Sequence, residues 1–166
     1  MTYSQRVAKA LLDINAVTLS PEKPFTWASG MKAPIYTDNR LTISYRTKPK
    51  DHGEGKQVEG VLHEGEKVVV IDDLISTGGS VLNAVHAVEN EGAEVIGVVS
   101  IFTYQLQAAE QNFLANDLQY FSVTDYTTLI NLAKKTGLIS ADHLKSLQQW
   151  REDPMKWSNN QQLQAI

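Results

Sequence analysis

Val68–Ile71 is an unbroken β-branched run, and no polar residue interrupts it before Asp72. A run of that kind suits a strand buried on both faces of a parallel sheet. Immediately beyond it the pattern changes. Asp72 and Asp73 follow, then the small, hydroxyl-rich stretch Ser76-Thr77-Gly78-Gly79-Ser80. Val81, Leu82, Val85 and Val88 then fall at helical spacing, with Gly92 as the stop. Residues 67–92 therefore predict a strand, an acidic pair, a glycine turn and a helix. The same two periods recur downstream. Val95–Phe102 reads as a second buried strand, Leu106–Leu114 as a helix, Leu118–Val123 as a third strand, and Tyr126–Thr136 as a helix stopped by Gly137. A last helix opens at the cap Ser140 and runs through Leu144, Leu147 and Trp150. Upstream, Val7, Leu11, Leu12 and Ile14, with Ala8 and Ala10, predict a short amphipathic helix. Val17–Leu19 reads as a strand, Ser20–Pro24 as a turn, and Gln57–His63 alternates as a strand does. Alternation of strands and helices predicts an α/β fold, with an open, mainly parallel sheet flanked by helices. Ser158–Gln164, rich in Asn and Gln, is expected to be a frayed tail. His86 and His143 fall on predicted helices and are expected to be structural, without partners.

Composition narrows the class. A length of 166 residues predicts one domain. With 42% hydrophobic and 20% charged residues, the chain has the make-up of a soluble globular protein. A net charge of −4 argues against nucleic acid as a partner. The absence of cysteine excludes a disulfide scaffold and a thiolate metal site, and it fits a reducing, cytoplasmic location. No apolar stretch approaches membrane-spanning length, and Met1–Arg6 does not lead into a signal-peptide core, so no membrane partner is expected.

Three stretches carry candidate chemistry. In open α/β sheets, ligands bind at the carboxyl ends of strands. Gly78 and Gly79 let backbone N–H groups approach an anion, the following helix adds the positive end of its dipole, and Thr77 and Ser80 add hydroxyl donors. That half suits a phosphate. The acids would repel a phosphate but accept hydrogen bonds from sugar hydroxyls, directly or through a metal. A ribose 5-phosphate satisfies both halves; the alternative is a strand–helix turn with no ligand. The stretch is not a Walker A loop, because no Gly-Lys-Ser/Thr follows the glycines. Phe25–Arg40 mixes aromatic residues with Lys32 and Arg40. This suits a planar anion, stacked on an apolar wall with a cation for its carboxylate, or else a hairpin with its aromatics in the core. Arg46–Lys56 is rich in charge and glycine. It is either a solvated surface loop or a mobile lid that lays its Lys and Arg side chains on a polyphosphate, and His52 alone would be an unremarkable surface histidine.

Val68–Ser80, a hydrophobic strand joined to two acids and a Thr-Gly-Gly turn, resembles the phosphoribosyl-pyrophosphate signature of the type I phosphoribosyltransferases. Phe25-x-x-x-Ser29-Gly30, followed by Lys32-x-Pro34-x-Tyr36-x-Asp38-x-Arg40, is similar to the N-terminal region of orotate phosphoribosyltransferases. The order Arg46, Lys50, Asp51-His52-Gly53 resembles that family's catalytic loop. The resemblance implies one domain over residues 1–166: an N-terminal helix and hood at 1–40, a mobile catalytic loop at 46–56, and a phosphoribosyl-binding strand–turn–helix at 67–92. It implies that Lys50, His52, Asp72 and Asp73 are catalytic. Phosphoribosyl pyrophosphate would meet Arg46, Lys50, His52, Asp72, Asp73, Leu74, Ile75, Ser76, Thr77, Gly78, Gly79 and Ser80. Orotate would meet Phe25, Lys32 and Ser76. Magnesium is expected through the substrate's diphosphate and hydroxyls rather than at a separate protein site. A homodimer is implied, with the 46–56 loop serving the neighbouring site. Two other functions stay open: transfer to another base such as uracil, xanthine or hypoxanthine, which the Phe25–Arg40 hood argues against, and a non-catalytic sensor of phosphoribosyl ligands on the same fold.

The chain departs from the family in one place. The resemblance implies a helix, a strand and a second phosphate-binding turn, which holds pyrophosphate, ahead of the catalytic loop. Here Thr42-Ile43-Ser44 runs almost directly into Tyr45-Arg46-Thr47. The absent piece is on the order of 30 residues or more, one strand–helix unit. Two explanations stay open: a true deletion, or a segment of the polypeptide omitted from the sequence. The second is favoured, because losing a central element leaves a gap in the sheet and an exposed strand edge. Intact mass separates them.

Overall fold

The computed structural model describes residues 2–38 and 62–163, with side chains described as far as Gln161. The chain divides into two compact units, Met1–Ser44 with Thr124–Ile166, and Tyr45–Val123.

The first unit is built from both ends of the chain. Helix α1 (Tyr3–Asp13) opens in a capping box, in which Thr2 and Gln5 satisfy each other's free groups. Strand β1 (Val17–Leu19) pairs antiparallel with β4 (Ile35–Thr37). The two-residue strands β2 (Phe25–Thr26) and β3 (Lys32–Ala33) form a second antiparallel pair, Phe25 opposite Ala33. The hairpin reading of this stretch therefore holds locally. Helix α4 (Tyr126–Lys135) is capped by Asp125, whose carboxylate accepts from the Thr128 N–H at 2.8 Å. Helix α5 (Ala141–Glu152) starts at the Ser140 cap. Its Trp150 is fully buried, edge-on to Trp27 and tilted against Tyr126.

The chain does not fray after α5. Helix α6 (Pro154–Leu163) follows, and its Trp157 and Ser158 are buried. The Ser158 hydroxyl accepts from the Lys32 backbone N–H at 2.8 Å, and the Trp157 indole N–H donates to Ser146 at 3.1 Å. The expectation of a tail here is corrected: two anchored side chains hold an otherwise polar helix. The histidines also have partners. His143 Nε2 lies 2.8 Å from a Glu22 carboxylate oxygen, and His86 Nε2 lies 2.9 Å from Asn116 Oδ1.

The second unit is a three-stranded parallel sheet in the order β5 (Lys67–Ile75), β6 (Glu94–Thr103), β7 (Tyr120–Asp125), the last strand running into the first unit. Helix α2 (Gly79–Asn90) links β5 to β6, and α3 (Gln107–Ala115) links β6 to β7. Val81, Leu82 and Val85 of α2 and Ala109 and Phe113 of α3 pack with Ile75, Val95 and Val98 into one core. The expectation that β5 is buried on both faces is corrected. Burial alternates along it, so only the face carrying Val70 meets the helices, while Val69 and Ile71 stay 45% and 79% exposed. Of Gln57–His63, residues 57–61 lie outside the described residues, and Leu62 and His63 are not in a strand.

Candidate functional site

The end of β5 is the candidate site, and local chemistry explains its form. The strand runs through the acids to Ile75, three residues beyond the β-branched run's first acid. Successive strand residues point to opposite faces. Asp72 therefore lies on the α2 side, half-buried, and Asp73 on the other, exposed. The Asp73 N–H donates to Asp72 Oδ1 at 2.9 Å, which ties the pair together at the backbone. Burial holds the Asp72 carboxyl above the usual aspartate range, and the neighbouring Asp73 charge adds to this, while backbone donors pull the other way.

Beyond the strand the turn is open. Ser76 is half-buried, and Thr77, Gly79 and Ser80 are exposed. Gly78 is the N-cap of α2 in the left-handed conformation, φ 82°, and a cap without a side chain leaves the first-turn N–H groups free of a side-chain acceptor. A Cβ at Gly78 would stand 2.9 Å from Phe113 Cε2, whereas one at Gly79 would come no nearer than 3.8 Å to Thr77 Oγ1. The conformation and the close approach thus belong to Gly78. Ile75 lies in the core with no exposed surface, so its side chain cannot reach a ligand. Leu74 is half-buried.

One residue holding the turn is illegible in the sequence. Asn112, on α3, donates from Nδ2 to the Thr77 carbonyl at 2.9 Å. Asn116 donates to the Asn112 carbonyl at 2.7 Å, and its own Oδ1 meets His86. No local motif marks these bonds, because their partners lie up to 35 positions apart.

The remaining expected residues divide. Phe25, on β2, is half-buried and tilted against Tyr36 at 5.5 Å between ring centroids. Lys32, on β3, donates from Nζ to Thr26 Oγ1 at 2.7 Å. Both belong to the first unit. Arg40, Arg46, Lys50 and His52, and with them the 46–56 loop, lie outside the described residues. Cavities of about 620, 530 and 340 Å³ lie elsewhere, the first lined by Thr2, Gln5, Thr128 and Asn131 among others. None of these three touches the β5 corner. The corner is singled out by its donors and acids. Among the described residues, no three His, Cys, Asp or Glu side chains are grouped to hold a metal, and no helix is long and apolar enough to cross a membrane.

Comparison with known proteins shows the family. Residues 20–128 match the phosphoribosyl transferase domain. The orotate phosphoribosyltransferase of Streptococcus thermophilus is 44% identical over 209 residues, covering 96% of this chain and all of the relative. The fold is similar to that of Leishmania donovani UMP synthase, with a TM-score of 0.73 and 22% identity over 90% of this chain and 42% of that one. It is also similar to orotate phosphoribosyltransferase from Aeropyrum pernix, with a TM-score of 0.62 and 20% identity over 81% of this chain and 99% of that one. The Streptococcus comparison has a further content. Its 209 aligned residues exceed the 166 of this chain, so at least 43 positions of the relative have no counterpart here. Because the relative is covered from end to end, those positions are internal.

Proposed function

The chain belongs to the orotate phosphoribosyltransferase family, and from that membership we propose that it transfers the phosphoribosyl group of phosphoribosyl pyrophosphate to orotate, giving orotidine 5'-phosphate and pyrophosphate. The observation that carries the site assignment is the corner itself: uncapped helix amides at Gly78, open hydroxyls at Thr77 and Ser80, and two acids at the end of the same strand. Thr77–Ser80 cradle the 5-phosphate. Asp72 and Asp73, on opposite faces of β5, accept from the ribose hydroxyls of a sugar lying across the strand end.

The reaction is displacement at the anomeric carbon. The bond to pyrophosphate breaks, that carbon gains positive character, and a ring nitrogen of orotate forms the new bond as its N–H proton is released to solvent. The protein positions both reactants and neutralises the departing charge. Lys50 and His52, with Arg46, cover the leaving group. Ser76, Phe25 and Lys32 hold orotate. The acid pair fits a magnesium ion held chiefly by substrate oxygens, since two carboxylates beside sugar hydroxyls offer hard oxygen ligands without forming a cage. Such an ion would supply charge neutralisation at the diphosphate. The family reading also carries a cytoplasmic location and a homodimer whose 46–56 loop serves the neighbouring site; sedimentation tests the dimer.

One observation favours a second reading. The missing internal positions include, by resemblance, the turn that grips pyrophosphate. A chain lacking it would bind phosphoribosyl ligands without turning them over. Steady-state assay with orotate and with uracil, beside direct binding of phosphoribosyl pyrophosphate, tests both. Product from orotate alone supports the transferase. Binding without product supports the sensor, and neither binding nor product refutes the corner.

A further inference from the structure

The peptide joining Thr77 to Gly78 is the link that the turn's own residues hold least. Glycine takes left- and right-handed φ with nearly equal ease, and Gly78 stands at φ 82°. Rotating that peptide by half a turn changes ψ of Thr77 and φ of Gly78 and little else, so local sterics leave both orientations open. The two orientations differ in what they show an anion. In a trans peptide the carbonyl and the N–H point in opposite directions. One orientation offers the Gly78 N–H, and the other the Thr77 carbonyl oxygen. The next carbonyl, that of Gly78, is already engaged, because it accepts from the Leu82 N–H at 3.0 Å in the first turn of α2.

Tertiary contact makes the choice. Asn112 of α3 donates from Nδ2 to the Thr77 carbonyl at 2.9 Å. That carbonyl therefore faces α3, and the Gly78 N–H faces away from it. Phe113, the next residue on the helix, is 2% exposed and stacked on Tyr120, and it comes so near Gly78 that a Cβ there would meet its Cε2 at 2.9 Å. Two successive residues of α3 thus grip one peptide, Asn112 at the carbonyl and Phe113 at the glycine. The helix is itself tied to α2, where His86 Nε2 lies 2.9 Å from Asn116 Oδ1, and Asn116 Nδ2 donates to the Asn112 carbonyl at 2.7 Å.

We propose that Asn112 is a positioning residue for the phosphoribosyl ligand: its side-chain amide holds the Thr77–Gly78 peptide in the orientation that turns an N–H, and not a carbonyl oxygen, toward the 5-phosphate. This role rests on the phosphate reading of the corner. Asn112 acts through the Thr77 carbonyl and is not a catalytic residue. It is exposed, so its bond competes with water and contributes as one ordinary hydrogen bond does, about three- to tenfold in affinity.

Ribose 5-phosphate is the probe, titrated calorimetrically into the full chain and into Asn112→Ala and Asn112→Leu, the second of which keeps the shape of the side chain without its donor. The Gly78 amide resonance and its HN–Hα couplings are recorded in the ligand-free chains. Both variants should weaken binding by the factor above. In both, the Gly78 couplings should move toward the average of two φ values. A merely structural role would lower the thermal transition and leave the affinity of the folded chain and the Gly78 couplings where they are. A parent chain that takes up no ribose 5-phosphate refutes the phosphate reading, and the role of Asn112 falls with it. A parent that binds, with variants that bind equally well or keep the parent's Gly78 couplings, overturns the role of Asn112 alone.

Discussion

Gly78→Ala separates the two adjacent glycines of the turn. At φ 82° an alanine pays the left-handed penalty, about 1–2 kcal/mol. Its Cβ would also stand 2.9 Å from Phe113 Cε2. Phe113 is no flexible surface group. It is 2% exposed and stacked on Tyr120 at 4.4 Å, so it must move within a packed core. Overpacking of that kind costs about 1–3 kcal/mol. The expected loss is therefore about 2–5 kcal/mol, at about 2–4 °C of Tm per kcal/mol for a chain of this size. Gly79→Ala meets nothing closer than 3.8 Å and has no left-handed backbone, so it should leave stability unchanged or raise it by about 0.4–1 kcal/mol. Urea unfolding of the two variants measures the difference. A cycle with Phe113→Leu isolates the contact, because shortening the ring should remove part of the Gly78→Ala cost. Equal losses at both glycines, or strict additivity in the cycle, would refute the steric argument.

Other outcomes follow from the same geometry. Asp72→Asn with Asp73→Asn should abolish measurable phosphoribosyl pyrophosphate binding while the far-ultraviolet circular dichroism stays native; undiminished binding would remove the acids from the ribose. Burial raises the Asp72 carboxyl in the folded state, so its charged form is disfavoured there and its stabilising share is present at acid pH and lost as pH rises through the raised value. Asp72→Asn alone should therefore gain stability relative to the parent at neutral pH, with the gain vanishing below pH ~4, a sign that unfolding at two pH values checks. Lys50→Ala should lower turnover more than orotate affinity, and an unchanged kcat would take it off the leaving group. Ser158→Ala should cost about 1 kcal/mol, because the half-buried Lys32 N–H loses its acceptor, and should free the α6 amides to exchange.

Much of this was legible in the sequence. The hydroxyl-glycine turn between a β-branched run and a helical spacing marked β5, the corner and α2, and the cap Ser140 before an apolar period is where α5 begins. What escaped depends on distant partners. Helix α6 reads as a polar tail because its helical character rests on Trp157 and Ser158, whose contacts come from α5 and β3. His143 finds Glu22 across 121 positions, and Asn112 finds Thr77 across 35. Two neighbouring glycines look alike in sequence; only the place of Phe113 distinguishes them. The run Val68–Ile71 carries the composition of a strand covered twice, yet one side is bare.

The first unit joins residues 2–38 to residues 124–163, and its bonds Ser4 to Thr124 and Lys32 to Ser158 close loops of 120 and 126 positions. Closing such loops is entropically costly and slow, whereas 62–123 is contiguous and its strand–helix–strand contacts are short-range. On the ribosome, the middle of the chain can condense while its beginning still waits for α4 and α6 to be made. The opening segment, with Ala8, Leu11 and Val17 uncovered, is thus the stretch a chaperone would hold longest.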